Sequence, residues 1–467
     1  MVQQFSIEDF GAKGDGVFDN TEAFANAFEA ISEGGILIIG AGIYLTGPIE
    51  IKAHNVVISF DKSAIIRFIS DERRYKPIFS RWEGVNCYCM HPCLLVSDSS
   101  NVVLKGPAVI DGNGFEWWEK AKLKRLAQKE PNTNIEKQFA ALNPNYRNQG
   151  GGGGGRLSQF LRPPLFQILR SNNIKVQSLR FINSPFWTIH PVYSSELLFE
   201  NLSIKNPSDA PNTDGIDVDS CENVVINDCN LDVGDDGIVI KSGSGEDGLK
   251  TAKPTKNILI ENCYVKNAHG GTSIGSETAA GINNIVVKNC FFDGTDRGIR
   301  IKTRRDRGGT ISFLHFSNVR MRNVICPLTV NMYYECDSRD DTNFDLSIRP
   351  ITTTTPSISD VTVEDCICED STSIAAFIVG LPESPIKKMK IKNCEFTIVK
   401  TGLRPIKECE MYQGLPEILN RGIRLRNVDI QVQNVSVTGV DQPFTIESGV
   451  YLRGDNENWK KNIGTDE

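Results

Sequence analysis

Three carboxylates stand out by type and spacing. Asp214 lies in Asn212-Thr213-Asp214-Gly215-Ile216-Asp217, and Asp235 and Asp236 lie in Gly234-Asp235-Asp236-Gly237-Ile238. Asp214 and Asp235 are 21 residues apart, about one coil of a repeating β architecture. His269 follows in Ala268-His269-Gly270-Gly271, and Arg300 and Lys302 flank Ile301, so on a strand those two bases share one face. Cleavage of a glycosidic bond needs one protonated carboxyl to donate to the leaving oxygen and one carboxylate to activate water. Crowding three acids favours keeping one of them protonated near neutral pH. A Lys and Arg pair beside them would hold a negatively charged sugar such as a uronic acid. Each Asp-Gly pair taken singly also reads as a turn; it is the joint pattern that points to chemistry. Arg304, Arg305 and Arg307 extend the basic run and read as a solvated loop.

Positioning these groups on one flank requires a repeat, and the sequence carries one. A phrase of alternating apolar residues, then Asn or Asp, then Cys, Val or Leu recurs. It reads Leu197-Leu198-Phe199-Glu200-Asn201-Leu202, Val224-Val225-Ile226-Asn227-Asp228-Cys229 and Ile258-Leu259-Ile260-Glu261-Asn262-Cys263. Copies begin at Ile174, Leu197, Val224, Ile258, Ile285, Leu314, Val361, Met389 and Ile430, at spacings of 23, 27, 34, 27, 29, 47, 28 and 41 residues. Self-similarity at this period means a solenoid, propeller or array. The shorter spacings leave room for one coil of two or three strands but not for a four-stranded blade, so a parallel β-helix is expected. Stacked Asn amides at one corner would bond between coils and tolerate the left-handed backbone that turns need. The longer spacings imply loops inserted at corners.

The fold class expected is all-β: a single parallel β-helix domain over residues 1–467, with an N-terminal capping helix and corner-loop insertions. The cap is placed at about residues 20–33, where Phe24, Ala27, Phe28 and Ile31 share a helical face before Gly34-Gly35. Residues 115–162 read as a partly helical insertion with a hinge in the glycines at 150–155. Trp117 and Trp118 in it read equally as a sugar-stacking platform or as packing.

A net charge of −7 makes a basic nucleic-acid surface an unsuitable reading, so any polyanion must be gripped locally. No run approaches the 18 or so apolar residues of a membrane span. The 13 Cys are odd in number and sit largely in strand-like runs, which reads as free buried thiols in a reducing compartment. The N-terminal residues lack a basic, then apolar, leader pattern, so a cytoplasmic location is expected. The sequons at Asn201 and Asn434 fall inside the repeat and read as chance matches. Cys87, Cys89, His91 and Cys93 match no zinc spacing and read as packing. His190 reads as structural, and His54 and His315 have no evident partner. No metal and no cofactor are expected.

At the acidic and basic motifs the sequence resembles the polygalacturonases of glycoside hydrolase family 28, particularly their bacterial exo-acting branch. The matching phrases are Asn212-Thr213-Asp214, Gly234-Asp235-Asp236, His269-Gly270-Gly271 with Ile274-Gly275-Ser276-Glu277, and Arg300-Ile301-Lys302. The resemblance implies a right-handed parallel β-helix and an inverting, metal-free hydrolysis of α-1,4-galacturonosyl bonds in galacturonate-containing oligo- or polysaccharides, acting from chain ends. It implies Asp235 as general acid, Asp214 and Asp236 as the pair that holds and deprotonates water, and His269 as the group tuning the acid. Arg300 and Lys302 would bind the substrate carboxylate, with Tyr334 and Asn212 also on the substrate. Rhamnogalacturonan hydrolysis, a calcium-dependent pectate lyase and a non-catalytic carbohydrate-binding solenoid are the competing readings.

Overall fold

The structure is a computed structural model, and it describes residues 3–127, 130–148, 155–336, 338 and 340–454. These residues group into two compact units, Met1–Val239 and Ile240–Glu467, each of which is taken by itself below. In both, the chain winds as a parallel β-helix: short strands pair in parallel with the equivalent strands one coil away.

Every Asn-position residue of the repeat sits in the left-handed region. Ser178, Asn201, Asp228, Asn262, Asn289, Asn318, Asp365, Asn393 and Asn434 all have φ between 48° and 59°. Asn and Asp tolerate this conformation better than other side-chain-bearing residues, which is why the phrase returns to them. Their amides then bond along the stack. In the first unit Asn201 Nδ2 donates to Ser178 Oγ at 2.9 Å. A second left-handed corner runs through Asn55, Asn101 and Asn173, each amide 2.8 Å from the next. In the second unit Asn318 donates to Asn289 at 2.8 Å, and Asn434 to Asn393 at 3.0 Å. Both sequon asparagines therefore have their amides committed to this ladder.

The core follows from the register. In the first unit Leu104, Val176, Phe199 and Ile226 lie side by side on successive strands. In the second, Ile260, Val287, Phe316, Val363, Ile391 and Val432 do the same. All ten are buried, so each coil adds one apolar layer to a continuous column. The Cys position of the repeat is buried too, at Cys229, Cys263, Cys290, Cys366 and Cys394.

The expected capping helix forms over Thr21–Ala30, with Ala23, Phe24, Ala27 and Phe28 buried and Ile31 beyond it also buried. It packs against the strand Ile49–Ile51, which pairs on one side with Leu94–Ser97. The insertion is helical as expected, over Phe115–Ala127, Asn134–Leu142 and Gly155–Ser158. Thr133 and Glu136 close a capping box at the start of the middle helix. The glycines expected as a hinge at 150–154 lie outside the described residues. Trp117 and Trp118 are buried, Trp117 edge-on to Tyr75 and Trp118 donating Nε1–H to the Ser184 carbonyl at 2.8 Å; they pack the insertion and offer no exposed sugar platform. Cys87 and Cys89 lie on the strand Val85–Met90 of a hairpin and pack with Trp82, Leu161, Phe186 and Trp187. His190 is buried with Nδ1 3.0 Å from Gln167 Nε2. His54 and His315 do have partners, Ser100 and Glu364 respectively.

The ladder sets a stability order. Asn318→Ala loses both the amide and tolerance of positive φ, whereas Asn318→Gly loses only the amide. Denaturant titration is expected to find the alanine variant less stable than the glycine variant by about 1 kcal/mol.

Candidate active site

In the first unit the acidic trio is assembled by coil stacking. Thr188 N–H donates to the Asp214 carbonyl at 2.9 Å, and Gly215 N–H donates to the Asp236 carbonyl at 3.0 Å. Ile189 pairs with Ile216, so by the same offset Trp187, Asp214 and Asp236 stand at equivalent places on three successive coils. Within one turn, Asp236 N–H donates to Asp235 Oδ1 at 2.9 Å. The outcome is that one carboxylate oxygen from each of Asp214, Asp235 and Asp236 lies within 4.8 Å of the others. Asp214 and Asp236 are buried, whereas Asp235 is half-buried. Gly234 is needed at the approach to this turn: a Cβ there would meet the carbonyl oxygens of Pro207 and Ala210 at 2.5 and 2.6 Å.

The turn before Asp214 is braced from the insertion. Arg162 Nη2 donates to Asn212 Oδ1 at 2.9 Å, while Nη1 donates to the carbonyls of Pro185 and Pro211, each at 2.9 Å. Asn212 itself is left-handed, with φ 55°. Thr213 Oγ1 bonds the Ala210 carbonyl, and Asn206 Nδ2 reaches the Thr213 carbonyl. Arg162 escaped the sequence reading because nothing local distinguishes it from the end of a charged insertion.

In the second unit the basic residues cluster as the alternation requires. Arg300 and Lys302 lie on the strand Arg297–Lys302, between a strand carrying Ser273 and one carrying Thr329. Ile299 and Ile301 enter the core, and the two bases face the other way, yet both are buried. The Tyr334 ring lies under both, 5.6 Å from the Arg300 guanidinium carbon and 5.3 Å from Lys302 Nζ. His269 is exposed, at the start of the strand Gly270–Gly275. The structure therefore brings together Asp214, Asp235 and Asp236 in one unit, and Arg300, Lys302 and Tyr334 in the other.

Two acidic residues here were not foreseen. Glu410 takes the Arg300 fork in both its oxygens, at 2.9 Å from Nε and 2.7 Å from Nη2. Burial raises its proton affinity, but Arg300 and Arg297 hold its pKa down at about 2. Glu277 sits 2.8 Å from Lys241 Nζ; burial opposes its charge, yet Lys241, Arg307 and then Lys302 hold it at about 2 as well. Glu277 had a signal, since it closes the Ile274-Gly275-Ser276-Glu277 phrase, whereas Glu410 lies in a stretch with no repeat. The solvated loop expected at Arg304, Arg305 and Arg307 is overturned: all three are buried. Arg305 pairs through both ends of its fork with Glu383, at 2.6 and 2.8 Å. Arg307 donates to Ser244 Oγ at 2.9 Å.

A family model described as glycosyl hydrolases family 28 matches residues 153–413, more than half of the chain. The chain belongs to this family. As a family 28 protein it is a glycoside hydrolase. It is 28% identical over 422 residues to a probable polygalacturonase of Vitis vinifera, covering 88% of this chain and 77% of that one. It is 28% identical over 336 residues to an endo-polygalacturonase of Pectobacterium carotovorum, covering 68% and 72%. The exopolygalacturonase structure of Thermotoga maritima superposes with a TM-score of 0.77 at 29% identity, covering 94% of this chain and 93% of the other. The family 28 fold shared with such structures is the right-handed parallel β-helix.

These relatives also correct the location. A cytoplasmic protein was expected from the N-terminal residues and the thiols; the likeness to plant and bacterial polygalacturonases overturns that expectation. The thiols misled for a physical reason. Twelve of the 13 are buried, and burial pushes Cys93 and Cys221 up to about 12. A thiol kept protonated and inaccessible is inert in either compartment, so it reports packing and not redox surroundings.

The Glu277 geometry gives a pH dependence. Its folded pKa, about 2, lies below the ordinary 4.5. A lowered carboxyl pKa contributes stability above the unfolded value, and that stability is lost as pH falls toward the folded value. Glu277 therefore contributes roughly 3 kcal/mol at neutral pH, fading between about pH 4.5 and 2. Glu277→Gln is expected to flatten the acid limb of stability against pH, measured by chemical denaturation across that window.

Proposed function

We propose that this glycoside hydrolase cleaves α-1,4-galacturonosyl bonds of polygalacturonate and its oligomers, from chain ends and with inversion. The observation that carries the reading is the trio of carboxylates whose oxygens lie within 4.8 Å. Three anions that close resist simultaneous ionisation, so a proton stays available to one of them. Asp235, the half-buried member, is the general acid. Asp214 and Asp236 hold and deprotonate the attacking water. His269 tunes the acid by hydrogen bonding, and Arg300, Lys302, Tyr334 and Asn212 bind the substrate, the two bases taking the sugar carboxylate.

The 4.8 Å limit applies to nearest oxygens. Adding about 1.2 Å for each C–O bond allows carboxyl carbons up to about 7 Å apart, which reaches the roughly 6.5–9.5 Å of inverting sites. Exo action draws support from the likeness to the Thermotoga maritima exopolygalacturonase and from the 115–162 insertion, whose Arg162 reaches Asn212. Residues 1–467 are proposed to behave as a single domain, expected to unfold in one calorimetric transition; two separated transitions would divide it.

Product analysis on defined oligogalacturonides tests the substrate and the mode. Release of short products from the first minutes supports exo action, and mixed long oligomers defeat it. Proton NMR of the first turnover is expected to show the β-anomer. Asp235→Asn should lose at least about 1000-fold in kcat with the fold intact; a binding protein would hardly change. The same trio would also suit a cation, so activity abolished by a chelator, with an unsaturated product, would replace hydrolysis by calcium-dependent elimination.

A further inference from the structure

A single short stretch, residues 408–413, grips the strand that carries Arg300 and the strand beside it. Arg297 donates from Nε to the Cys409 carbonyl and from Nη2 to the Glu408 carbonyl, each at 3.0 Å. Glu410 takes the Arg300 fork. The Met411 carbonyl accepts from Asn331 Nδ2 at 2.9 Å. Tyr412 bridges to Tyr334, and Gln413 N–H donates to the Tyr333 carbonyl at 3.3 Å. Nothing in the established membership of family 28 calls for an acid that neutralises a substrate-binding Arg.

The Glu410 carboxylate is saturated. Oε2 accepts from Arg300 Nε and from Thr329 Oγ1 at 3.1 Å, and Oε1 accepts from Arg300 Nη2 and from its neighbour's amide, Met411 N–H, at 2.7 Å. Its side chain has no exposed surface, and that of Arg300 has almost none. A two-point fork fixes the plane of a guanidinium as well as its place. The plane matters because the Arg300 guanidinium lies over the Tyr334 ring. A buried ion pair is weak evidence for stability by itself; what the fork does fix here is the place and plane of Arg300.

We infer that Glu410 is a positioning residue: it holds Arg300 in the one orientation that presents its guanidinium, together with Lys302 and Tyr334, to the carboxylate of the sugar. This rests on the galacturonan reading above. Because Arg297 and Arg300 keep Glu410 ionised down to about pH 2, the arrangement persists across the working pH of a hydrolase. Glu410 acts through Arg300 and on substrate binding, so its effect falls on KM more than on kcat.

The test is a double-mutant cycle of Glu410→Gln with Arg300→Lys, assayed on free-acid and methyl-esterified oligogalacturonides. Glu410→Gln is expected to raise KM for the free acid at least about 10-fold, with a smaller change in kcat, and to narrow the preference over the ester. The double variant should be no worse than the poorer single variant, because both changes remove one interaction. Additive effects, or an unchanged preference for the free acid, would overturn the inference. Glu410→Asp keeps the charge and shortens the reach; it replaces Glu410→Gln in the same cycle if circular dichroism shows that variant unfolded. If the wild-type protein itself leaves oligogalacturonides intact, it is the substrate reading that fails, which keeps the two failures apart.

Discussion

A parallel β-helix exists only while every coil closes at the same place, and here closure depends on a residue held at positive φ. Most side chains resist that conformation by about 1–2 kcal/mol. The chain meets it with Asn and Asp at corner after corner, and Asn318 to Asn289 or Asn201 to Ser178 shows how the amide then bonds to the next coil. From this constraint the rest follows. Corners in register keep strands in register. Strands in register stack Phe199 on Ile226 and Phe316 on Val363. The same stacking aligns Asp214 with Asp236 on neighbouring coils, so carboxylates distant in sequence come to share a few ångströms.

Within each unit the buried polar residues follow a second rule, that buried charge must be matched. Arg81 pairs with Asp219 in the first unit. In the second, Arg300 pairs with Glu410, Lys241 with Glu277 and Arg305 with Glu383. Glu410, Glu277 and Glu383 come from loops and turns, whereas Arg81, Arg300 and Lys241 lie on strands. Loops between strands therefore do electrostatic work. Asp214, Asp235 and Asp236 are crowded among themselves, whereas Arg81, Arg300, Lys241 and Arg305 each have an acid of their own.

What could be read from the sequence was whatever obeys a period or a short motif. The repeat gave the fold class, and Phe24, Ala27, Phe28 and Ile31 gave the helix. The spacing from Asp214 to Asp235 anticipated their meeting, because it is about one coil, Asp236 being the residue level with Asp214. Periodicity says nothing about partners supplied by long connections. Glu410 lies 110 residues from Arg300, and Arg162 lies 50 from Asn212; neither Glu410 nor Arg162 falls within a copy of the repeat. Arg305 was misjudged for the same reason. A run of bases looks solvated until Glu383 and the carbonyls of Asn343, Asp345 and Ser347 close over it.

The helix Thr21–Ala30 has a meaning beyond covering apolar side chains. It lies against Ile49–Ile51, a strand whose other neighbour is Leu94–Ser97. An uncovered sheet edge is a template on which another molecule's strand can be added. By packing against the end strand of that sheet, the helix offers a surface with no unpaired strand backbone, which disfavours addition of a foreign strand there.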